Sequence, residues 1–172
     1  MTSRTFTQTR HNMTVLGIDP GYGRCGFGVI VSDDEAPNAW RYVASGMITT
    51  SSEIVFADRL LEIANDLLVV IDKYCPRMLV LEELFFAKNT TTALKVAHAR
   101  GIIMLTARRA GLEVVEVKPN EVKQALTGYG AADKKQMQEM VKTVFGLASI
   151  PQPDDAADAL AVAWTGATKA RY

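Results

Sequence analysis

Cysteine and histidine are both scarce in this chain, with two of each among 172 residues. Cys25 and Cys75 have neither C-x-x-C spacing nor clustered histidines, so a zinc site and a disulfide framework are not supported and two free thiols are expected. Long apolar runs are missing too. The densest, Leu67 to Ile71, is far shorter than a bilayer crossing, and the N-terminus has no apolar signal segment; a cytoplasmic protein with no membrane attachment is expected. Net charge is also absent: 19 Lys and Arg balance 19 Asp and Glu, which argues against a generic polyanion binder. The balance is uneven along the chain. From Leu84 to Leu112 there is no acid, only Lys88, Lys95, Arg100, Arg108, Arg109 and His98. Divalent cations held by acids elsewhere would leave the remainder positive, so a neutral total is compatible with nucleic-acid binding.

What the chain does have is an ordinary globular composition, 48% apolar and 22% charged, at a length suited to one domain. Residues 1–12 are polar and aperiodic, which reads as a disordered leader or a mis-assigned start, with one domain over 13–172. Strands are expected at Thr14 to Asp19, Cys25 to Val31 and Trp40 to Thr49, the first two joined through Pro20, Gly21 and Gly23. Phe56, Leu60, Ile63, Leu67, Ile71 and Tyr74 recur at helical spacing, and Pro76 stops that helix. Met78 to Leu81 reads as a strand buried on both faces. A helix follows from Thr91 to Ala110, with Asn89, Thr90 and Thr91 offering a cap, and then a strand at Glu113 to Val117. Pro119 and Asp133 open two more helices, and Asp154 or Asp155 caps a last one reaching Ala170. Such an order makes a mixed sheet covered by helices on both faces, parallel after the antiparallel meander.

Four acids stand where such a sheet gathers chemistry. Asp19 ends the first strand and Glu82 the strand after the first long helix; if those strands are neighbours, the carboxylates flank each other at a strand-end crevice. Asp155 and Asp158, three residues apart, share one face of the last helix, and Ala156, Ala157, Ala159 and Ala161 keep that helix slim enough to lie close to the sheet. Capping and the helix dipole alone also account for the last two acids. Four carboxylates within a few Å cannot all stay ionised without cations. Oxygen donors without Cys or His select Mg²⁺ or Mn²⁺ over zinc. Two such ions, roughly 3.5–4 Å apart, would activate a water and stabilise the leaving oxygen of a phosphoryl displacement. Glu83 and Asp154, one residue away, are expected to turn aside.

GIDPG (17–21) with GFGVI (26–30), then LVLEELFFAKN (79–89), then PQPDDAADALAVA (151–163) resemble, in that order, the RuvC family of Holliday-junction resolvases in the ribonuclease H-like superfamily. The resemblance runs from Met13 to about Gly166. It implies an α/β fold with a ribonuclease H-like mixed five-stranded sheet flanked by helices on both faces. The implied activity is that of a homodimeric Mg²⁺-dependent endodeoxyribonuclease that nicks two like strands of four-way junction DNA symmetrically, in recombination and repair. On this resemblance the acidic tetrad falls on Asp19, Glu82, Asp155 and Asp158, as catalytic groups and as ligands of two Mg²⁺ ions per subunit, with Mn²⁺ able to substitute. Phe85 takes the aromatic position that wedges into or stacks on unpaired bases, with a finishing role in the core as the alternative for it or Phe86. Lys123 and Lys134 match lysines that face the DNA backbone, and Lys88, Asn89 and Arg100 are further candidates for phosphate contact. Gly101, Ala97 and Ala99 thin one helix face, which suits close approach across a two-fold axis. The implied partner is the branch-migration complex, a junction-binding tetramer with its helicase motor. Two departures stand out: Cys25 where the family often has threonine, and an extra Asp154 that leaves the register of the third ligand open. The competing readings are a related nuclease of ribosomal RNA precursors, a sugar kinase or actin-type protein lacking its second domain, and a junction-binding module without catalysis.

Overall fold

The structure, a computed structural model, describes residues 12–33, 36, 39–84 and 90–170; residues 1–11 of the expected leader lie outside them. In chain order the elements are β1 (Thr14–Asp19), β2 (Arg24–Ser32), β3 (Trp40–Thr49), α1 (Phe56–Tyr74), β4 (Met78–Glu82), α2 (Thr90–Arg109), β5 (Glu113–Val117), α3 (Pro119–Thr127), α4 (Lys134–Val144) and α5 (Asp154–Lys169). The strands form one mixed sheet in the order β3-β2-β1-β4-β5. Pairing is antiparallel from β3 to β1 and parallel from β1 through β4 to β5.

Successive residues of β1 and β4 point to opposite faces, which divides the interior into two cores. Leu16, Ile18, Leu79 and Leu81 meet Ile63, Leu67 and Ile71 of α1 and Ile103 of α2 on one side. On the other, Val15, Ile30, Met78 and Val80 meet Val122, Met137, Leu160 and Val162 from α3, α4 and α5. All of Met78 to Leu81 is buried, as a central strand of a covered parallel sheet requires.

Local chemistry sets most of the helix ends. Cys75, in the left-handed region at φ 47°, closes α1. Pro119 opens α3, and Gly128, at φ 71°, closes it. Asp133 accepts from the Gln136 N–H while the Gln136 side chain accepts from the Asp133 N–H, a complete capping box for α4. The start of α5 corrects the sequence reading. Pro153 occupies the N-cap with no side-chain hydrogen bond, and Asp154 and Asp155 both stand inside the first turn, so capping accounts for neither.

Helix α5 lies directly on the backbone of β1 and β2. A Cβ on Gly17 would stand 2.2 Å from the Ala159 carbonyl oxygen, and one on Gly26 only 2.1 Å from the Asp155 carbonyl oxygen. The glycine floor and the alanine-rich helix together bring the first turn of α5 over the strand ends.

Candidate active site

Each acid is placed by a different element. Asp19 ends β1 opposite Gly26 of β2, and Ile18 pairs with Leu81, so Glu82 ends the neighbouring parallel strand beside Asp19. Because Gly26 is also where the first turn of α5 touches the sheet, Asp155 and Asp158 arrive over the same point. Asp19, Glu82 and Asp158 line one cleft of about 230 Å³, together with Lys123, Lys134 and an apolar wall of Pro119, Val122 and Met137. The crevice lies at the C-terminal ends of adjacent parallel strands, where a doubly covered sheet collects ligands.

The electrostatics show convergence. Burial, then Asp158, Glu82 and Asp155, push the Asp19 carboxyl up to about 7. Burial and Asp158 raise Glu82, against the lowering effect of Lys123 and Arg100. Asp158 is raised by burial in the face of Lys134. Carboxyls in this state repel one another and invite a cation.

The three acids on α5 are held by basic side chains. Arg24 donates to Asp155 Oδ2 at 2.5 Å and lies 3.8 Å from Asp154. Lys134 donates to Asp154 Oδ2 at 2.5 Å and stands 3.5 Å from Asp158. The hydrogen bond to Asp154 raises the Lys134 ammonium and lowers the Asp154 carboxyl. In this arrangement no three metal-binding side chains among the described residues are gathered tightly enough to enclose an ion. The donor set nevertheless fits a hard cation: four carboxylates, two of them salt-bridged, and a half-buried Asp19 that resists ionisation alone. Cys25 takes no part, since burial pushes its thiol up to about 12 and it points into the α1 core.

The structure sorts the remaining sequence candidates. Lys123 and Lys134 line the cleft. Neither Asp154 nor Asp155 lines the cleft: Asp154 is paired with Lys134 and Asp155 with Arg24. Arg100 is largely buried against β5 in an ion pair with Glu116 and is not a freely exposed cation. Phe85, Phe86, Lys88 and Asn89 lie outside the described residues. His98 is exposed and edge-on to Phe56. Sequence reasoning missed Arg24; its only signal is a cation at the start of β2, directly after the glycine turn.

The family model for the crossover junction endodeoxyribonuclease RuvC matches residues 15–166. The chain belongs to the RuvC family. A RuvC from Roseiflexus sp. is 53% identical over 86% of this chain and 86% of its own length. One from Thermosipho melanesiensis is 44% identical over 93% of this chain and 100% of its own. Among solved structures, Thermus thermophilus RuvC in complex with Holliday junction substrate superposes with a TM-score of 0.86 at 36% identity, covering 92% of this chain and 95% of that one. The yeast mitochondrial Holliday junction resolvase shares the RuvC fold at 14% identity and a TM-score of 0.62.

Proposed function

We propose that the chain cuts four-way junction DNA by metal-assisted phosphodiester hydrolysis, with Asp19, Glu82, Asp155 and Asp158 as its metal-binding and catalytic acids. Family membership makes it a crossover junction endodeoxyribonuclease and an enzyme. The observation that carries the site assignment is the meeting of Asp19, Glu82 and Asp158 in one cleft with two lysines. Divalent ions bound there, two Mg²⁺ per subunit with Mn²⁺ as a substitute, would supply an activated water and stabilise the leaving oxygen.

The chain's own residues do the rest. Asp19 and Glu82, fixed on strand ends, give the site a rigid floor. Asp158 and Asp155 close it from α5, the second after leaving Arg24. Lys123 and Lys134 offer positive charge to the phosphate at the cut, which orients the scissile strand without reading its sequence. Phe85, Lys88 and Asn89 are assigned to unpaired bases and neighbouring phosphates on family resemblance.

Cutting two like strands calls for two sites related by a two-fold axis, so the protein acts as a homodimer. A fitting surface exists on α2: Leu94 and Leu105 are more than half exposed, on one stripe with His98 and Gly101, and a Cβ on Gly101 would meet nothing within 4 Å. Ala99, by contrast, faces the core. The branch-migration complex is the partner that would present the junction. No helix among the described residues is long and apolar enough to cross a membrane, and work on cytoplasmic DNA suits that.

The test is a nicking gel with synthetic four-way junction, linear duplex and structured RNA, with and without Mg²⁺. Paired nicks in the junction alone, dependent on Mg²⁺, are expected. RNA cleavage instead, or full activity in excess EDTA, would overturn the reading.

A further inference from the structure

On the α1 and α2 side of the turn between β1 and β2, two cations converge on one ring. The Arg59 guanidinium lies 4.8 Å from the Tyr22 ring centroid, and Lys95 Nζ lies 5.5 Å from the same centroid. Lys95 Nζ is also 5.7 Å from the centroid of Phe56, whose ring meets Tyr22 edge-on at 5.9 Å. Arg59 is fixed in place. Its Nε donates to Thr50 Oγ1 at 2.9 Å, and that hydroxyl donates to the Tyr22 carbonyl at 2.7 Å. Its outer nitrogen presses on the turn, where a Cβ on Gly23 would stand 2.9 Å from it.

Among the described residues neither cation is neutralised by an ion pair. Among the described residues Arg24, Arg41, Arg100, Lys134 and Lys169 each have a carboxylate within 4.0 Å, and Arg59 and Lys95 have none. Cation–π contacts order the two groups, while their mutual repulsion opposes the gathering. An anion between them would remove that opposition.

The geometry points to Arg59 and Lys95 as a second phosphate grip, holding the DNA backbone where the bound strand continues past Tyr22. The nearness of Tyr22, three residues after Asp19 in the turn that leaves β1, identifies the occupant as the strand bound over Asp19. The sheet separates the two basic rims: Lys123 and Lys134 stand on its α3 and α4 side, Arg59 and Lys95 on its α1 and α2 side. A strand lying over Asp19 therefore meets positive charge before and after the cut. The grip rests on reading the cleft as a junction-nuclease site, and it positions the strand and makes no contact with the reacting atoms.

Salt titration of junction affinity tests it. Full-length protein and a fluorescent four-way junction are titrated in Ca²⁺ between 50 and 200 mM NaCl, where each lost phosphate contact lowers the log–log slope by about 0.9. Lys95→Gln, which removes only ring contacts, should lower the slope by about 1 and weaken binding about three- to tenfold at the lower salt, with an unchanged melting midpoint. Arg59→Gln should do the same, and Arg59→Lys should recover most of the slope. Lys73→Gln, at the far end of α1, should keep the parental slope. A parental slope in both Lys95→Gln and Arg59→Gln overturns the grip while leaving the nuclease reading intact; so does an equal loss in Lys73→Gln. A parent that binds the junction no better than duplex fails the underlying reading and the grip with it.

Discussion

Burial and the neighbouring carboxylates Asp158, Glu82 and Asp155 hold the Asp19 carboxyl near 7, against an ordinary 3.8. A carboxyl raised on folding keeps its proton more tightly in the folded chain, so its contribution favours folding at low pH and is lost as pH climbs from about 4 to about 7. Glu82 and Asp158 act in the same direction. In metal-free buffer the melting midpoint should therefore fall through this window, while Asp19→Asn should be flatter and melt roughly 3–6 °C higher at pH 8, about 1–2 kcal/mol at this length. Millimolar Mg²⁺ should raise the parent and scarcely move the variant. Identical pH profiles for the two proteins would remove the electrostatic account. Asp19→Asn, Glu82→Gln, Asp155→Asn and Asp158→Asn should each abolish nicking yet keep or improve junction affinity, because negative charge beside phosphates is lost. Glu83→Gln should cut like the parent. Asp154→Asn frees Lys134 from an exposed ion pair and should cut within about fivefold of it. If Asp154→Asn kills cleavage and Asp155→Asn spares it, the ligand register on α5 is off by one residue.

The seat of α5 gives a second kind of test. In Gly26→Ala the added methyl would press on a backbone oxygen of Asp155, which cannot rotate aside, so the first turn of α5 must lift. A stability loss of about 1–3 kcal/mol is expected, with Mn²⁺ affinity by calorimetry falling more than stability alone explains. Parental Mn²⁺ affinity in that variant would mean that the seat does not position the acids. The first and third strands begin and end at the residues expected from pattern, and the helices after Pro119 and Asp133 start where expected, because proline and capping chemistry is local. The start of α5 was misread because Pro153 takes the N-cap, which shifts two acids that resemble caps into the first turn. Tertiary partners were not legible. Arg24 meets Asp155 across 131 residues of sequence only because α5 crosses β2 at Gly26. Arg100, a candidate for phosphate contact in the sequence, is paired with Glu116 only because α2 packs on β5. The places of Asp19 and Glu82 at strand ends and of Asp155 and Asp158 on a slim helix were legible, whereas the cleft that Asp19, Glu82 and Asp158 share is a product of tertiary packing.

Two basic rims and one exposed α2 stripe suit a protein that binds a branched substrate with two copies of the same cleft. Sedimentation should show a dimer at assay concentration, and Leu94→Asp with Leu105→Asp should give a monomer that binds junction more weakly and loses paired nicking. Paired nicking by a persistent monomer would sink the two-fold reading. Gly101→Ala should gain roughly 0.8–1 kcal/mol of helix stability in isolation and yet weaken the dimer, if the stripe is where copies meet. The place of α5 after all five strands matters for the time before the protein is finished. A nascent chain on the ribosome, or a fragment released by a premature stop before Asp154, already carries Asp19 and Glu82 but neither Asp155 nor Asp158. Such a fragment holds half of the acid cluster and an uncovered sheet face, which exposes it to aggregation and to proteases. Quality control, and not stray cutting of the genome, is its expected fate.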